Sequence, residues 1–174
     1  MIELVHKNIK LRALESEDLE FLSQTENDTS LWEVSGTQVP FSKYILKQYL
    51  ANSHQDIYEA KQLRLVIEYE GLPIGMLDLF AYSPQHQRAG VGIVIVKKYQ
   101  NKGVASVALK LFIKYAFTTL HLHQLYAQIS VDNLQSKKLF IKQNFQLIGI
   151  KKDWIFHNNI FKDVALYQLI NNTN

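Results

Sequence analysis

The feature that most constrains this chain is the run Ala89-Gly90-Val91-Gly92-Ile93-Val94-Ile95-Val96, apolar at every position. A strand with one solvated face alternates apolar and polar residues. A run without alternation belongs inside a sheet covered on both sides. Beyond it, Val104, Val107, Ala108, Leu111, Tyr115 and Ala116 recur at helical spacing, which predicts an amphipathic helix. Leu125 to Val131 then reads as another strand. A strand, a covering helix and a second strand in this order predict a right-handed crossover between parallel neighbours. Gly90 and Gly92 weaken the apolar strand and point to a bulge or a close approach.

The remaining elements fill in around this unit. Ile9 to Leu14 alternates and predicts a first strand. Ser16, followed by Glu17 and Asp18, has the composition of a helix start, and that helix should run to about Asn27. Asp28 to Pro40 reads as irregular, and Ser42 caps a second helix ending near Asn52. Leu63 to Glu68 and Ile74 to Tyr82 read as strands joined by the turn Glu70-Gly71-Leu72-Pro73. On the second, Ile74, Met76, Asp78, Phe80 and Tyr82 should share a face. Leu134 to Gln143 reads as a helix, and Phe145 to Lys151 and Ile160 to Leu169 as strands joined through His157-Asn158-Asn159. The expected fold is α/β, layered: one domain over residues 1–174, with a mixed central sheet of about seven strands and helices on both faces.

The chain has 174 residues, 47% of them hydrophobic, enough for a sizeable core, and no cysteine. Disulfides, thiolate metal sites and a cysteine nucleophile are therefore excluded. No basic, then apolar leader opens the sequence at Met1-Ile2-Glu3-Leu4, and no apolar run approaches a membrane span, so a cytoplasmic location is expected. Only Asn171 to Asn174 reads as a tail without fixed structure. Charge is divided along the chain, −6 over residues 1–87 and +9 over residues 88–174. Two solvated faces would explain this. So would a second half that meets an anion and a first half that tolerates a cation. The basic residues form no dense run, so neither nucleic acid nor membrane is expected as a partner. His121 and His123 lack an obvious third ligand, and no metal is expected.

Between the apolar strand and its helix lies Tyr99-Gln100-Asn101-Lys102-Gly103-Val104-Ala105. The first amides of a helix have no intrahelical partner, and the helix dipole is positive there. Gly103 lets a bulky anion approach the backbone, and Ala105 leaves room beside it; a pyrophosphate suits such a place. Gly103 could equally do no more than shape the turn. The wider order is Gln100-x-x-Gly103-x-Ala105, helix, strand, then Asn133-x-x-Ser136 opening a helix that ends in Asn144-Phe145. This order resembles the GNAT N-acetyltransferases over nearly the whole chain, from Ile9-Lys10-Leu11-Arg12-Ala13-Leu14 to the final hairpin. Within that superfamily it is most similar to the spermidine acetyltransferases and the ribosomal-protein N-terminal acetyltransferases.

The resemblance implies an acetyl-CoA-dependent enzyme that moves an acetyl group directly to a primary amine. The acceptor would be a polyamine-like small molecule or a protein N-terminus, and a homodimer is left open. It assigns the backbone of Ile93, Val94, Ile95 and Val96 to the pantetheine arm, with Val94 or its neighbour donating to the oxyanion. Gln100, Asn101, Lys102, Gly103, Val104, Ala105 and Ser106 would hold the pyrophosphate by their amides. Asn133 would bind pantetheine and Ser136 would lie near the thioester sulfur. Lys102 and Lys142 would neighbour phosphates, or be plain solvated charges. The chain departs from the pattern at Phe140, where many relatives carry a tyrosine proposed to protonate departing CoA. Thiolate is a tolerable leaving group, so Ser136 or a water would then supply the hydrogen bond. That departure keeps a second reading open, a degenerate acyl-CoA-binding module without catalysis.

The attacking amine must be neutral, which calls for a proton acceptor. Asp78, an acid inside the apolar stretch Met76-Leu77-Asp78-Leu79-Phe80, is the candidate, unless it pairs with Arg88 or points to solvent. Glu33 is the candidate for holding a cationic acceptor, or else an ordinary loop acid. The spermidine enzymes are more acidic where this chain reads Ser35-Gly36-Thr37-Gln38.

Overall fold

The computed structural model describes residues 4–53 and 55–172. Eight strands form one mixed sheet: β1 (Val5–His6), β2 (Ile9–Ala13), β3 (Leu63–Tyr69), β4 (Leu72–Ser83), β5 (Arg88–Ile95), β6 (Gln124–Ser130), β7 (Gln146–His157) and β8 (Ile160–Ile170). Their order across the sheet is β1-β2-β3-β4-β5-β6-β8-β7. The two-residue β1 is the strand that takes the count above seven. The helices are α1 (Leu19–Glu26), α2 (Trp32–Ser35), α3 (Lys43–Ala51), α4 (Ile57–Ala60), α5 (Val104–Thr118) and α6 (Leu134–Lys142).

The crossover from β5 through α5 to β6 joins parallel neighbours, and every other pairing is antiparallel. α5 lays Val104, Ala108, Leu109, Phe112 and Ala116 into the larger core, against Leu11, Ile67, Leu77, Leu79 and Val91. On the opposite face α1 packs on α3, and a smaller cluster of Leu22, Leu46 and Met76 fills the gap. Helices thus cover both faces, as a sheet with so many apolar strands requires.

The differences from the sequence reading have local causes. The first helix begins as a 3₁₀ turn, Ser16–Asp18, with Glu15 rather than Ser16 at the cap. Asp18 accepts the Glu15 amide at 2.9 Å and takes both Arg12 nitrogens at 2.7 and 2.9 Å, so the turn is held by an ion pair buried against β2. The stretch after α1 is not wholly irregular, since α2 occupies one turn of it, ended by Gly36 in the left-handed region. On β4 the expected shared face breaks at both ends. Register shifts flank it, and Ile74 and Tyr82 join Leu77 and Leu79 in the larger core while Met76 stays with the smaller one. The hairpin between β7 and β8 turns on Asn158 and Asn159, both at positive φ, the pattern that matches strand twist. β7 runs six residues beyond Lys151, past a register shift near Asp153. Of the C-terminal tail, the Asn171 amide donates to the His123 carbonyl, and Thr173 and Asn174 lie outside the described residues.

Candidate active site

β5 and β6 pair only at Arg88↔Gln124, Ala89↔Leu125 and Gly90↔Tyr126. Beyond Gly90 they part, although β4 follows β5 as far as Gly75↔Ile95. Position 90, at the parting point, must be glycine because the Phe80 ring lies on it. A Cβ there would fall 2.2 Å from the ring, which also meets Tyr126 edge-on. The expected burial of the apolar strand on both sides holds for Ala89 to Val91 and for Ile95, and fails for Gly92, Ile93, Val94 and Val96, which are half-buried. Gly92, Ile93, Val94 and Ile95 line a groove of about 850 Å³ that opens between the two strands.

At one end the groove meets the start of α5. Asn101 and Gly103 both have positive φ, at 60° and 78°, and Gly103 is the residue ahead of the helix. Nothing lies within 4 Å of where a Gly103 side chain would begin. The loop is braced from both sides. Gln100 Nε2 donates to the Ile95 carbonyl at 2.9 Å, and Gln135 Nε2 donates to Asn101 Oδ1 at 3.0 Å. Gln143 Nε2 donates to Ser106 Oγ at 2.9 Å, so α5 and α6 are tied at the groove's edge. The side chains of Gln100, Asn101 and Ser106 are thus occupied in bracing the loop. The backbone amides opening α5 lack the carbonyls that later turns use. Lys102, Lys138 and Lys142 line this end with no carboxylate among them, and the Lys102 ammonium lies 5.2 Å over the Tyr99 ring.

α6 forms one wall. Asn133 caps it, its Oδ1 accepting the Ser136 amide at 3.1 Å. The Ser136 side chain is half-buried and its hydroxyl makes no hydrogen bond among the described residues. Phe140 lines the same wall but is 3% exposed.

The opposite end is acidic. Glu26, Glu33, Asp78 and Asp132 line it, from α1, α2, β4 and the turn after β6. Asp78 is not free. Its Oδ1 and Oδ2 take Arg64 Nε and Nη2 at 2.6 and 2.7 Å, and Arg64 Nη1 reaches Glu26. Burial pulls the Arg64 pKa down, but the bonds to Asp78 outweigh it and the net shift is upward. Asp78, expected as the proton acceptor, is thus engaged through both oxygens with a guanidinium, and its partner is Arg64, not Arg88. Glu33 takes Lys162 Nζ at 2.5 Å and lies 3.5 Å from His157 Nε2; Lys162 also reaches Asp132 at 2.7 Å. Thr25 Oγ1, beside this end, is buried with no partner among the described residues.

Sequence reasoning passed over Arg64, Glu26, Asp132, Lys162 and Thr25. Arg64 had a signal, since it faces Asp78 across the β3–β4 hairpin whose turn was recognised. Lys162 had none, because its partner Glu33 is 129 residues away.

A family profile described as an acetyltransferase (GNAT) domain matches residues 8–146. The spermidine N(1)-acetyltransferase of Escherichia coli (strain K12) is 30% identical over 156 residues, covering 90% of this chain and 82% of that protein. A crystal structure of the spermidine N-acetyltransferase from Vibrio cholerae in complex with CoA and spermine matches with a TM-score of 0.86 at 26% identity, covering 95% of this chain and 96% of that one. A dodecameric structure of the same Vibrio enzyme matches with a TM-score of 0.80 at 28% identity, covering 95% of each chain.

Proposed function

This chain belongs to the GNAT acetyltransferase family, and from that membership we propose that it moves the acetyl group of acetyl-CoA to a primary amine of a small polyamine-like acceptor. It is an N-acetyltransferase; the proposal concerns the donor, the acceptor and the residues that hold them. One observation carries it: a single groove has three lysines and unused helix amides at one end and four carboxylates at the other. The lysine end suits the phosphates of CoA. The acidic end suits a cationic amine.

In this reading pantetheine lies along Ile93, Val94, Ile95 and Val96, where β6 has withdrawn, and pairs with the strand edge. The amides from Gln100 through Ser106 hold the pyrophosphate beside Gly103, with Lys102 and Lys142 next to the phosphates. Asn133, whose Oδ1 is committed to its helix, offers Nδ2 to pantetheine. The acceptor nitrogen attacks the thioester carbonyl carbon with its lone pair. A backbone amide of β5 on the edge that β6 has left, at Ile93 or Ile95 beside Val94, donates to the oxygen as it gains charge, because the Val96 amide, and in register with it that of Val94, turns to β4. The carbon–sulfur bond then breaks, and the Ser136 hydroxyl donates to the sulfur as thiolate forms. The ammonium proton leaves to water at the open acceptor end. Phe140 packs beneath the thioester. Glu33, Glu26 and Asp78 supply the field that favours a cation, with Asp78 held in place by Arg64.

The test is CoA thiol release from acetyl-CoA with a panel of monoamines, diamines, polyamines and N-terminal peptides. Release with diamines or polyamines is expected. Release with peptides alone would move the acceptor to a protein N-terminus, and no release with any amine would end the transfer reading.

The Vibrio relative forms a dodecamer, and a second copy of this chain is the proposed partner of the sheet edge. β7 is the last strand of the sheet, and Leu147, Ile148, Ile150, Trp154 and Phe156 are exposed along it. An unpaired edge with apolar side chains is a template for pairing with another strand. Light scattering of wild type and Trp154→Lys should show an assembly that the variant weakens.

A further inference from the structure

Two of the carboxylates that line the acidic end of the groove already hold an ammonium, and it is the protein's own. Lys162 reaches from β8 to set its Nζ between Glu33 Oε1 and Asp132 Oδ2, at 2.5 and 2.7 Å, and its side chain is only 16% exposed. The two carboxylates come from distant parts of the chain, one on α2 and one immediately ahead of Asn133, the cap of α6. Both line the groove. Two carboxylates converging on one ammonium is the arrangement a site for a second cationic group would take. Here a residue occupies it.

We infer that Lys162 determines acceptor specificity: its ammonium fills the place where the distal ammonium of a diamine or polyamine would bind. A monoamine never meets this competition. A diamine gains from Glu33 and Asp132 only by displacing Lys162, so its second charge adds little to binding. The inference rests on reading the groove as an amine site, and it deepens that reading by naming what limits the acceptor.

The experiment compares 1,4-diaminobutane with butylamine, equal in carbon number and different by one ammonium. KM for each, and binding of each to the CoA complex by calorimetry, are measured in wild type, Lys162→Met and Lys162→Arg. The expected result in Lys162→Met is that the diamine-to-monoamine KM ratio falls about tenfold, the scale of one partly desolvated ion pair. The calorimetric ratio should fall with it. Lys162→Arg keeps a cation between the carboxylates and should keep the wild-type ratio. A loosened contact between α2 and the hairpin would shift both amines together and leave the ratio alone, so an unchanged ratio in Lys162→Met overturns the inference. A ratio that falls equally in Lys162→Arg overturns it too. If no amine is acetylated, the transfer reading fails by itself, and the calorimetric ratio still decides the role of Lys162.

Discussion

Phe140 meets Phe145 edge to face, with ring centroids 5.0 Å apart and planes at 85°. The contact closes the end of α6. The Phe145 amide donates to the Phe140 carbonyl at 3.1 Å and the Asn144 amide to the Ile141 carbonyl at 2.9 Å, around a left-handed Asn144. These two bonds and the apolar pair between their outer residues form a Schellman motif. Phe140 therefore serves the helix end through its ring.

Phe140→Tyr should accordingly fold. Its added hydroxyl lowers stability by about 1–2 kcal/mol if it finds no partner, and kcat should stay at the wild-type level or rise modestly. Phe140→Ala, which empties the motif, should cost about 3–4 kcal/mol. Thermal melts and initial rates on the three proteins check both; a kcat for Phe140→Tyr far below wild type would contradict a packing role.

Gly103→Glu should abolish acetyl-CoA binding without unfolding the chain. The position is open, so a side chain meets no atom, but φ there is 78° and the new carboxylate would face the proposed pyrophosphate. Gly103→Ala isolates the backbone term, with a loss of about 1 kcal/mol in stability and a smaller loss of affinity. Calorimetry with acetyl-CoA and a melting curve separate binding from folding. Wild-type affinity in a folded Gly103→Glu would remove the phosphate site.

Salt should weaken acetyl-CoA binding, since Lys102, Lys138 and Lys142 line the donor end unopposed. The screening length falls from about 30 Å at 0.01 M to about 10 Å at 0.1 M ionic strength. Dissociation constants measured across that range should rise steadily, and the rise should shrink in Lys142→Ala. A constant affinity would assign the lysines to solvent.

Acid should remove a contribution centred on Asp18. Burial works against its charge and is the largest single influence, but the Arg12 bonds and the Glu15 amide outweigh it and hold its pKa below the usual value. The folded state thus binds the proton less readily than the unfolded chain. The contribution is complete above the unfolded pKa and is lost as pH falls through the folded one. Asp18→Asn should be less stable than wild type by about 2 kcal/mol at neutral pH. That gap should close below about pH 4. Denaturant melts at several pH values test it; a gap independent of pH would mean that the charge on Asp18 plays no part.

The elements that form the basic end of the groove were legible because each depends on local pattern. The unbroken Ala89 to Val96 run announces an interior strand, and Gly103 before an amphipathic stretch announces a helix start open to an anion. The charge division between the two halves reappears as the polarity of the groove. The acidic end was less legible because it is assembled from α1, α2, β3, β4, the turn after β6 and β8. Asp78 stood out as an acid among apolar neighbours, yet its meaning depended on Arg64 across the hairpin. Bulges at each end of β4 moved Ile74 and Tyr82 to the other face, and nothing in a period of two announces where a strand slips by one residue.

The parting of β5 from β6 leaves a seam held by three residue pairs at its closed end, with α5 packed on β5, α6 on β6 and the two helices on each other. A seam of that kind divides the labour of evolution. The donor end is written almost wholly after residue 90, in one strand and two helix starts. Three of the four carboxylates at the acidic end, Glu26, Glu33 and Asp78, are written before it. On the proposed assignment of the two ends, substitutions that retune the choice of amine can accumulate on one bank while the other goes on holding the same donor.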